Sequence, residues 1–144
     1  NEIEQGIQRE DNKNFQTNII GEMTSYKYFL NDKKFIEIII NFSNMIEENN
    51  FNYGEPWQLS DAWGYKHSIG NYTKNHHHIP SLISGVIMLN KHPQSLYFPD
   101  INEKIECDVG NFVFSACLKH GNKRNKSYKP RYGLSFNYDY NYKG

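Results

Sequence analysis

A change of period near residue 57 limits the possible folds of this chain more than any motif does. Phe35, Ile38, Ile39, Phe42, Met45 and Ile46 recur at three- and four-residue spacing, and Ile36 and Ile40 widen the stripe. This pattern predicts a helix over residues 33–49 with Asp32 as its N-cap. Lys33 and Lys34 sit at the positive end of its dipole and Glu47 and Glu48 at the negative end. Each mismatch costs a few tenths of a kcal/mol, roughly. Packing must therefore hold the helix, and its wide stripe implies a sheet beneath it.

From Trp57 the period becomes two and no second helical stripe follows. Trp57, Leu59, Trp63 and Tyr65 alternate with Gln58, Ser60, Ala62 and Gly64. Residues 82–89 are apolar on both faces, as in a covered central strand. Residues 95–98 form a short strand ended by Pro99-Asp100. Ile105, Cys107 and Val109 alternate with Lys104, Glu106 and Asp108, which predicts one wet face. Phe112 to Phe114 and Arg131 to Tyr138 complete the set. Seven or eight strands in roughly 85 residues predict a jelly-roll barrel with a helix packed on one sheet. The expected organisation is one domain over 1–144, with a flank over 1–56 and a β-barrel core over 57–142. In the flank, 1–17 is polar with a turn at Asp11 to Asn14, and Thr17 to Leu30 is extended.

Charge excludes some partners. The 16 basic and 16 acidic residues cancel, so no global field draws the chain to nucleic acid or membrane. A basic stretch, from Lys119 through Lys123, Arg124, Lys126 and Lys129 to Arg131, is either a solvated loop or a device that steers an anionic substrate. Nucleic acid is not expected as a partner, and the sequence does not encode the oligomeric state. Cys107 and Cys117 form no CxxC and are expected to be free, buried thiols. No apolar run reaches a membrane span and no signal pattern opens the chain, so a cytoplasmic location is expected.

Two stretches carry candidate chemistry. In Lys74-Asn75-His76-His77-His78-Ile79-Pro80, His76 and His78 share one face of an extended chain and His77 takes the other. Two imidazoles on one face can hold a metal; a polar loop is the plainer reading. In the last strand Arg131, Gly133, Ser135 and Asn137 share a face. An arginine followed by small residues leaves room before its guanidinium for a carboxylate guest, although an ordinary salt bridge fits the same pattern. His120, within a loop-like basic stretch, reads alone as a solvated side chain.

Taken together these segments resemble the non-haem Fe(II)/2-oxoglutarate-dependent oxygenases, in particular a small branch often found in phages and marine bacteria. Gly70-Asn71-Tyr72-Thr73-Lys74-Asn75-His76-His77-His78 is similar to that branch's G-D-Y-x-x-x-H-x-H segment. Leu82-Ile83-Ser84-Gly85-Val86 resembles its next strand, and Leu96-Tyr97-Phe98-Pro99-Asp100 its L-x-F-x-D/P segment. Gly110 to Phe114 with Leu118-Lys119-His120 resembles its G-D-x-x-x-F…L-x-H, and Arg131 to Asn137 its R-x-S-x-S-F-N ending.

The resemblance implies a double-stranded β-helix, cupin-like, that binds Fe(II) and uses 2-oxoglutarate as co-substrate to hydroxylate a small molecule or protein side chain. It implies His76, His78 and His120 as metal ligands and Arg131 as the partner of the distal carboxylate. No catalytic residue beyond the ligands is implied. Metal binding needs neutral imidazoles, so affinity should fall below about pH 6. This chain departs from the wider superfamily in three places. His78 stands where a carboxylate is usual, which leaves the full metal charge uncompensated and admits zinc or nickel. Ile87 and Met88 stand for tyrosines that often hold the co-substrate, and Gly133 for a serine; Tyr65, Tyr72 or Ser135 are the candidates to compensate. The alternative is a non-catalytic jelly-roll module that binds metal or carbohydrate.

Overall fold

The computed structural model describes residues 2–8, 18–52, 54 and 56–141. The turn expected at Asp11 to Asn14 lies outside the described residues. The elements are α1 (Glu2–Ile7), β1 (Ile19–Ile20), β2 (Glu22–Met23), α2 (Lys33–Glu48), β3 (Trp57–His67), β4 (Tyr72–His76), β5 (Ile83–Met88), β6 (His92–Phe98), β7 (Glu103–Cys107), β8 (Gly110–Ser115), β9 (His120–Asn122) and β10 (Arg131–Tyr140). The strands form two five-stranded sheets, one ordered β2-β3-β10-β5-β8 and the other β1-β4-β9-β6-β7, with antiparallel pairing throughout the described residues. This is the jelly-roll architecture that the alternating pattern predicts.

The helix expected over 33–49 is α2, and its cap is the predicted one. Asp32 is extended and its carboxylate accepts from the Phe35 amide at 2.9 Å. The buried stripe is narrower than the sequence suggests. Phe35, Ile39, Phe42 and Ile46 are buried, whereas Ile38 and Ile40 face solvent. One flat sheet face admits one helical stripe, so the residues a quarter-turn away stay wet. The stripe packs on β10, where Phe136 lies 5.3 Å from Phe42 and 6.1 Å from Phe35 between ring centroids. The Ser43 hydroxyl meets that of Tyr138 at 3.2 Å.

Three further expectations are corrected. The polar start contains α1, fastened where Glu4 accepts from the Tyr132 hydroxyl at 2.6 Å and pairs with Lys66 at 2.7 Å, with Ile3 buried beneath. Ile105 and Val109 are exposed while Cys107 is buried: β7 is an edge strand that ends at Cys107, and Val109 lies beyond it. Cys117 is exposed, while Cys107 is buried; both are free.

Strand β10 divides the molecule. Its even-numbered residues Leu134, Phe136 and Tyr138 join the core beneath α2. Its odd-numbered residues look into the space between the sheets, the alternation required by a two-residue repeat. β5 does the same, with Ile83 and Ile87 in the helix-side core and Val86 and Met88 in a second apolar cluster with Leu96, Phe98 and Cys107.

Candidate metal centre

His76, His78 and His120 each offer a ligand nitrogen within 4.8 Å of the others. Local chain geometry explains how they meet. β4 ends at His76, so His78 follows in non-strand backbone and is pinned there by its amide donating to the Ala116 carbonyl at 2.7 Å. His120 is not in a loop: it opens β9, directly opposite His76, and is buried. The register of β4 against β9 shifts between Thr73 and His76. This irregularity lets Thr73 and His76, an odd number of residues apart, both face inward. His77 points away.

Gly121 makes the irregularity possible. A Cβ there would stand 2.8 Å from the Thr73 carbonyl oxygen and 3.1 Å from the Asn75 amide nitrogen. Backbone cannot step aside as a side-chain tip can. Gly121→Ala is expected to cost about 1–3 kcal/mol, seen as a lower melting temperature, and to weaken metal binding by moving His76 against His120.

The nitrogens are presented for coordination. His76 Nδ1 lies 2.7 Å from the Lys74 carbonyl and His120 Nδ1 lies 3.1 Å from the Leu118 carbonyl. A carbonyl only accepts, so in both rings Nδ1 carries the proton and Nε2 keeps its lone pair. His78 and His120 bring their Nε2 atoms to 3.1 Å. At a metal–imidazole bond of roughly 2.1 Å, two ligands at right angles stand about 3.0 Å apart, so the His78–His120 pair already has the spacing of two ligands on one divalent transition metal, and His76 completes a set within 4.8 Å. Asn137 stands behind His78, its amide nitrogen 3.5 Å from Nδ1, and Ser84 donates to its Oδ1 at 2.7 Å. Phe114 and Phe98, with ring centroids 4.8 and 6.1 Å from His120, make an apolar wall.

Burial shapes the protonation of this group. Loss of hydration, then the neighbouring imidazoles, lower the His78 pKa to about 3. Burial, then His76, lowers that of His120 to about 4. His76 is lowered too, again chiefly by burial. His78 and His120 are therefore neutral well below pH 6, and the shift of His76 has the same direction, which moves the expected loss of metal affinity to lower pH.

Arg131, 0% exposed, lies on the inward face of β10, between the sheets. Its Nη1 donates to the Tyr65 hydroxyl at 2.9 Å and its Nε to the Cys107 sulfur at 3.2 Å. Nη2 is buried without a partner, and among the described residues no carboxylate pairs with the guanidinium. A buried cation with a free donor and no counter-ion is costly unless a guest supplies the anion. Tyr65 pairs directly with Gly133, and its ring and hydroxyl fill the place where a side chain at Gly133 would stand. Tyr65 is thus the candidate that reaches the guanidinium. Ser135 is half-buried on the inward face, between Trp63 and Val86. Tyr72 is not brought to Arg131: its ring lies under the Arg124 guanidinium at 4.5 Å, on the face of β4 opposite Thr73.

A polar floor behind Arg131, built around its strand partner His67, left no mark in the sequence. His67, 0% exposed, has Nδ1 2.8 Å from Gln94 Oε1 and Nε2 3.1 Å from the Thr73 hydroxyl. Gln94 Nε2 donates to the Asn71 and Lys123 carbonyls at 3.0 and 2.7 Å. That fixes the amide, so Oε1 accepts and His67 is the Nδ1–H tautomer. Burial lowers its pKa to about 4. Trp63 was also missed: its indole N–H is buried without a partner and its ring centroid is 5.8 Å from His78.

These shifts predict acid sensitivity. In the unfolded chain the histidines titrate near pH 6.5, so between about pH 6.5 and 4 the unfolded state binds more protons than the folded one. Stability is complete above that window and falls as pH drops through it. Denaturant titrations should show a lower midpoint at pH 4.5 than at pH 7, and His67→Gln should flatten the difference. Equal midpoints would contradict the neutral His67 assignment.

This fold is the double-stranded β-helix of the 2-oxoglutarate–iron(II) oxygenases. Among solved structures, the chain is similar to a viral collagen prolyl hydroxylase from Paramecium bursaria Chlorella virus-1 in complex with 2-oxoglutarate, with TM-score 0.68, 14% identity, and 83% of this chain and 78% of that one covered. It is also similar to a Pseudomonas putida prolyl-4-hydroxylase, with TM-score 0.58, 15% identity and coverages of 75% and 64%. HygX from Streptomyces hygroscopicus, solved with nickel and 2-oxoglutarate bound, aligns with TM-score 0.52, 10% identity and coverages of 61% and 58%. No family model and no curated protein matches the sequence.

Proposed function

We propose that this chain is an Fe(II)- and 2-oxoglutarate-dependent dioxygenase that hydroxylates a small molecule or a protein side chain. The observation that carries the reading is Arg131: a buried guanidinium with an unused donor and no acidic partner, in the same barrel as three converging imidazoles. The proteins of similar fold that were solved with 2-oxoglutarate support it.

In this reading His76, His78 and His120 hold the metal and leave its other side open. Fe(II) held there would supply the oxygen chemistry: 2-oxoglutarate and O2 become succinate and CO2 as one oxygen atom enters a substrate C–H bond. The chain's own residues orient and shield. Arg131 and Tyr65 bind the distal carboxylate through their N–H and O–H groups and so fix the direction from which the oxo-acid approaches the metal. Val86, Met88, Leu96 and Phe98 line one side with hydrocarbon and exclude water, which strengthens those polar contacts.

The test is decarboxylation of 2-oxoglutarate by purified protein with Fe(II), beside calorimetry of the oxo-acid with and without metal. Binding at about 100 times Kd should stabilise the fold by about 2.7 kcal/mol, a rise of several degrees in melting temperature. Tight zinc binding with no affinity for the oxo-acid would identify a non-catalytic metal-binding module instead.

A further inference from the structure

Both described helices pack on the sheet that contains β10, and among the described residues no helix lies over the outer face of the sheet β1-β4-β9-β6-β7. Three cavities adjoin along that face. The first is lined by residues of β4 and β9 together with Tyr97 and Lys123; the second shares Tyr97 and Lys123 with it; the third shares Pro93, Gln94 and Arg124 with the second. They make one groove. It starts at Asn75 and Gly121, beside His76 and His120 on the chain, and ends at Lys126 and Ser127.

The lining is chemically one-sided. Lys74, Lys104, Lys123, Arg124 and Lys126 line it, and no acidic residue does. The chain as a whole is neutral, so positive charge is concentrated here. Glu103 and Glu106, exposed on β7, flank the groove without entering its lining. Two of the cations are held on aromatic rings. The Arg124 guanidinium carbon stands 4.5 Å from the Tyr72 centroid and donates through Nη1 to the Gly70 carbonyl at 3.2 Å. Lys123 Nζ stands 5.5 Å from the Tyr97 centroid. Cations parked on rings lose less freedom on binding an anion.

We propose that this groove binds single-stranded nucleic acid, its phosphates running along the cations and its bases stacking on Tyr97 and on the outward plane of Arg124. A row of cations alone would serve any polyanion. Planar guanidinium and phenol surfaces interleaved with the cations favour a ligand that carries planar rings between its charges. The inference stands on the outer face of the sheet and does not depend on turnover at the metal centre.

Fluorescence anisotropy with a labelled oligothymidylate of about twelve nucleotides tests it. Four phosphate contacts predict a log–log salt slope of about −3, a loss of roughly 50-fold between about 50 and 200 mM salt. Lys123→Glu with Arg124→Glu should weaken binding at least tenfold and flatten that slope, with zinc affinity and melting temperature as for the parent protein. Tyr97→Leu should weaken binding about tenfold with the slope retained. Lys104→Glu, on the other flank, carries the charge test if the double variant does not fold. A flat salt response, binding indifferent to these substitutions, or displacement by polyglutamate as effective as by oligothymidylate would overturn the proposal, the last in favour of an acidic peptide.

Discussion

Replacing Arg131 by methionine and Tyr65 by phenylalanine together should make the metal-free protein more stable and leave it unable to bind 2-oxoglutarate. The two effects share one cause. Arg131 is wholly buried, its Nη2 has no partner, and its contacts are a neutral phenol and a thiol. Burying an ion without a counter-ion costs several kcal/mol after relaxation, and a similarly sized apolar residue avoids that cost. Changing Tyr65 as well prevents its hydroxyl from becoming a new orphan, a penalty of about 1–3 kcal/mol by itself. The net gain should be roughly 1–3 kcal/mol, or about 3–10 °C in melting temperature. Loss of two charge-assisted hydrogen bonds should weaken oxo-acid binding at least a hundredfold, about 3 kcal/mol. A variant that melts lower and still binds 2-oxoglutarate would show Arg131 to be a structural residue. Higher stability together with lost binding would be the stability–function trade-off expected of a binding site.

His76→Ala with His120→Ala should abolish metal binding and leave the fold standing. Four-ligand zinc sites yield about 10–16 kcal/mol, so an even share is roughly 2.5–4 kcal/mol per ligand. Each loss then costs a hundredfold or more, and two leave His78 alone. The cobalt(II) spectrum and calorimetric metal titration should both go blank, and with them any decarboxylation of 2-oxoglutarate. The metal-free fold should survive because the histidine nitrogens contribute contacts to one another and to two carbonyls, not to the core beneath α2. Decarboxylation that persists in the double variant would refute the assignment of these ligands.

How much of this could be read from the sequence depends on the range of the interactions involved. Local rules carried α2: Asp32 caps it and Phe35, Ile39, Phe42 and Ile46 repeat on one face. Order along the chain carried the histidines, which the structure gathers although their local setting was misread. β4 stops at His76, and His120 lies in a strand. Tyr72, one of the candidates to compensate for the missing tyrosines, faces outward, because a register shift beyond Thr73 decides which residues of β4 face inward. Such a shift leaves no mark in a two-residue pattern. The His67–Gln94–Thr73 cluster was invisible for a different reason: its members come from three strands, and none has an unusual neighbour in the sequence. Ile105 and Val109 alternate correctly, but alternation does not say whether a strand has a second sheet opposite it.

One wall serves both halves of this molecule, and that channels how its sequence can drift. In β10 the odd residues 131–137 face the space between the sheets and the even residues 134–138 face the core beneath α2, so deleting one residue there would exchange the two sets at a stroke. Insertions should accumulate instead in the links between strands, such as 99–102, where length is free. Descendants of such a chain would differ at the rims and agree along residues 131–138.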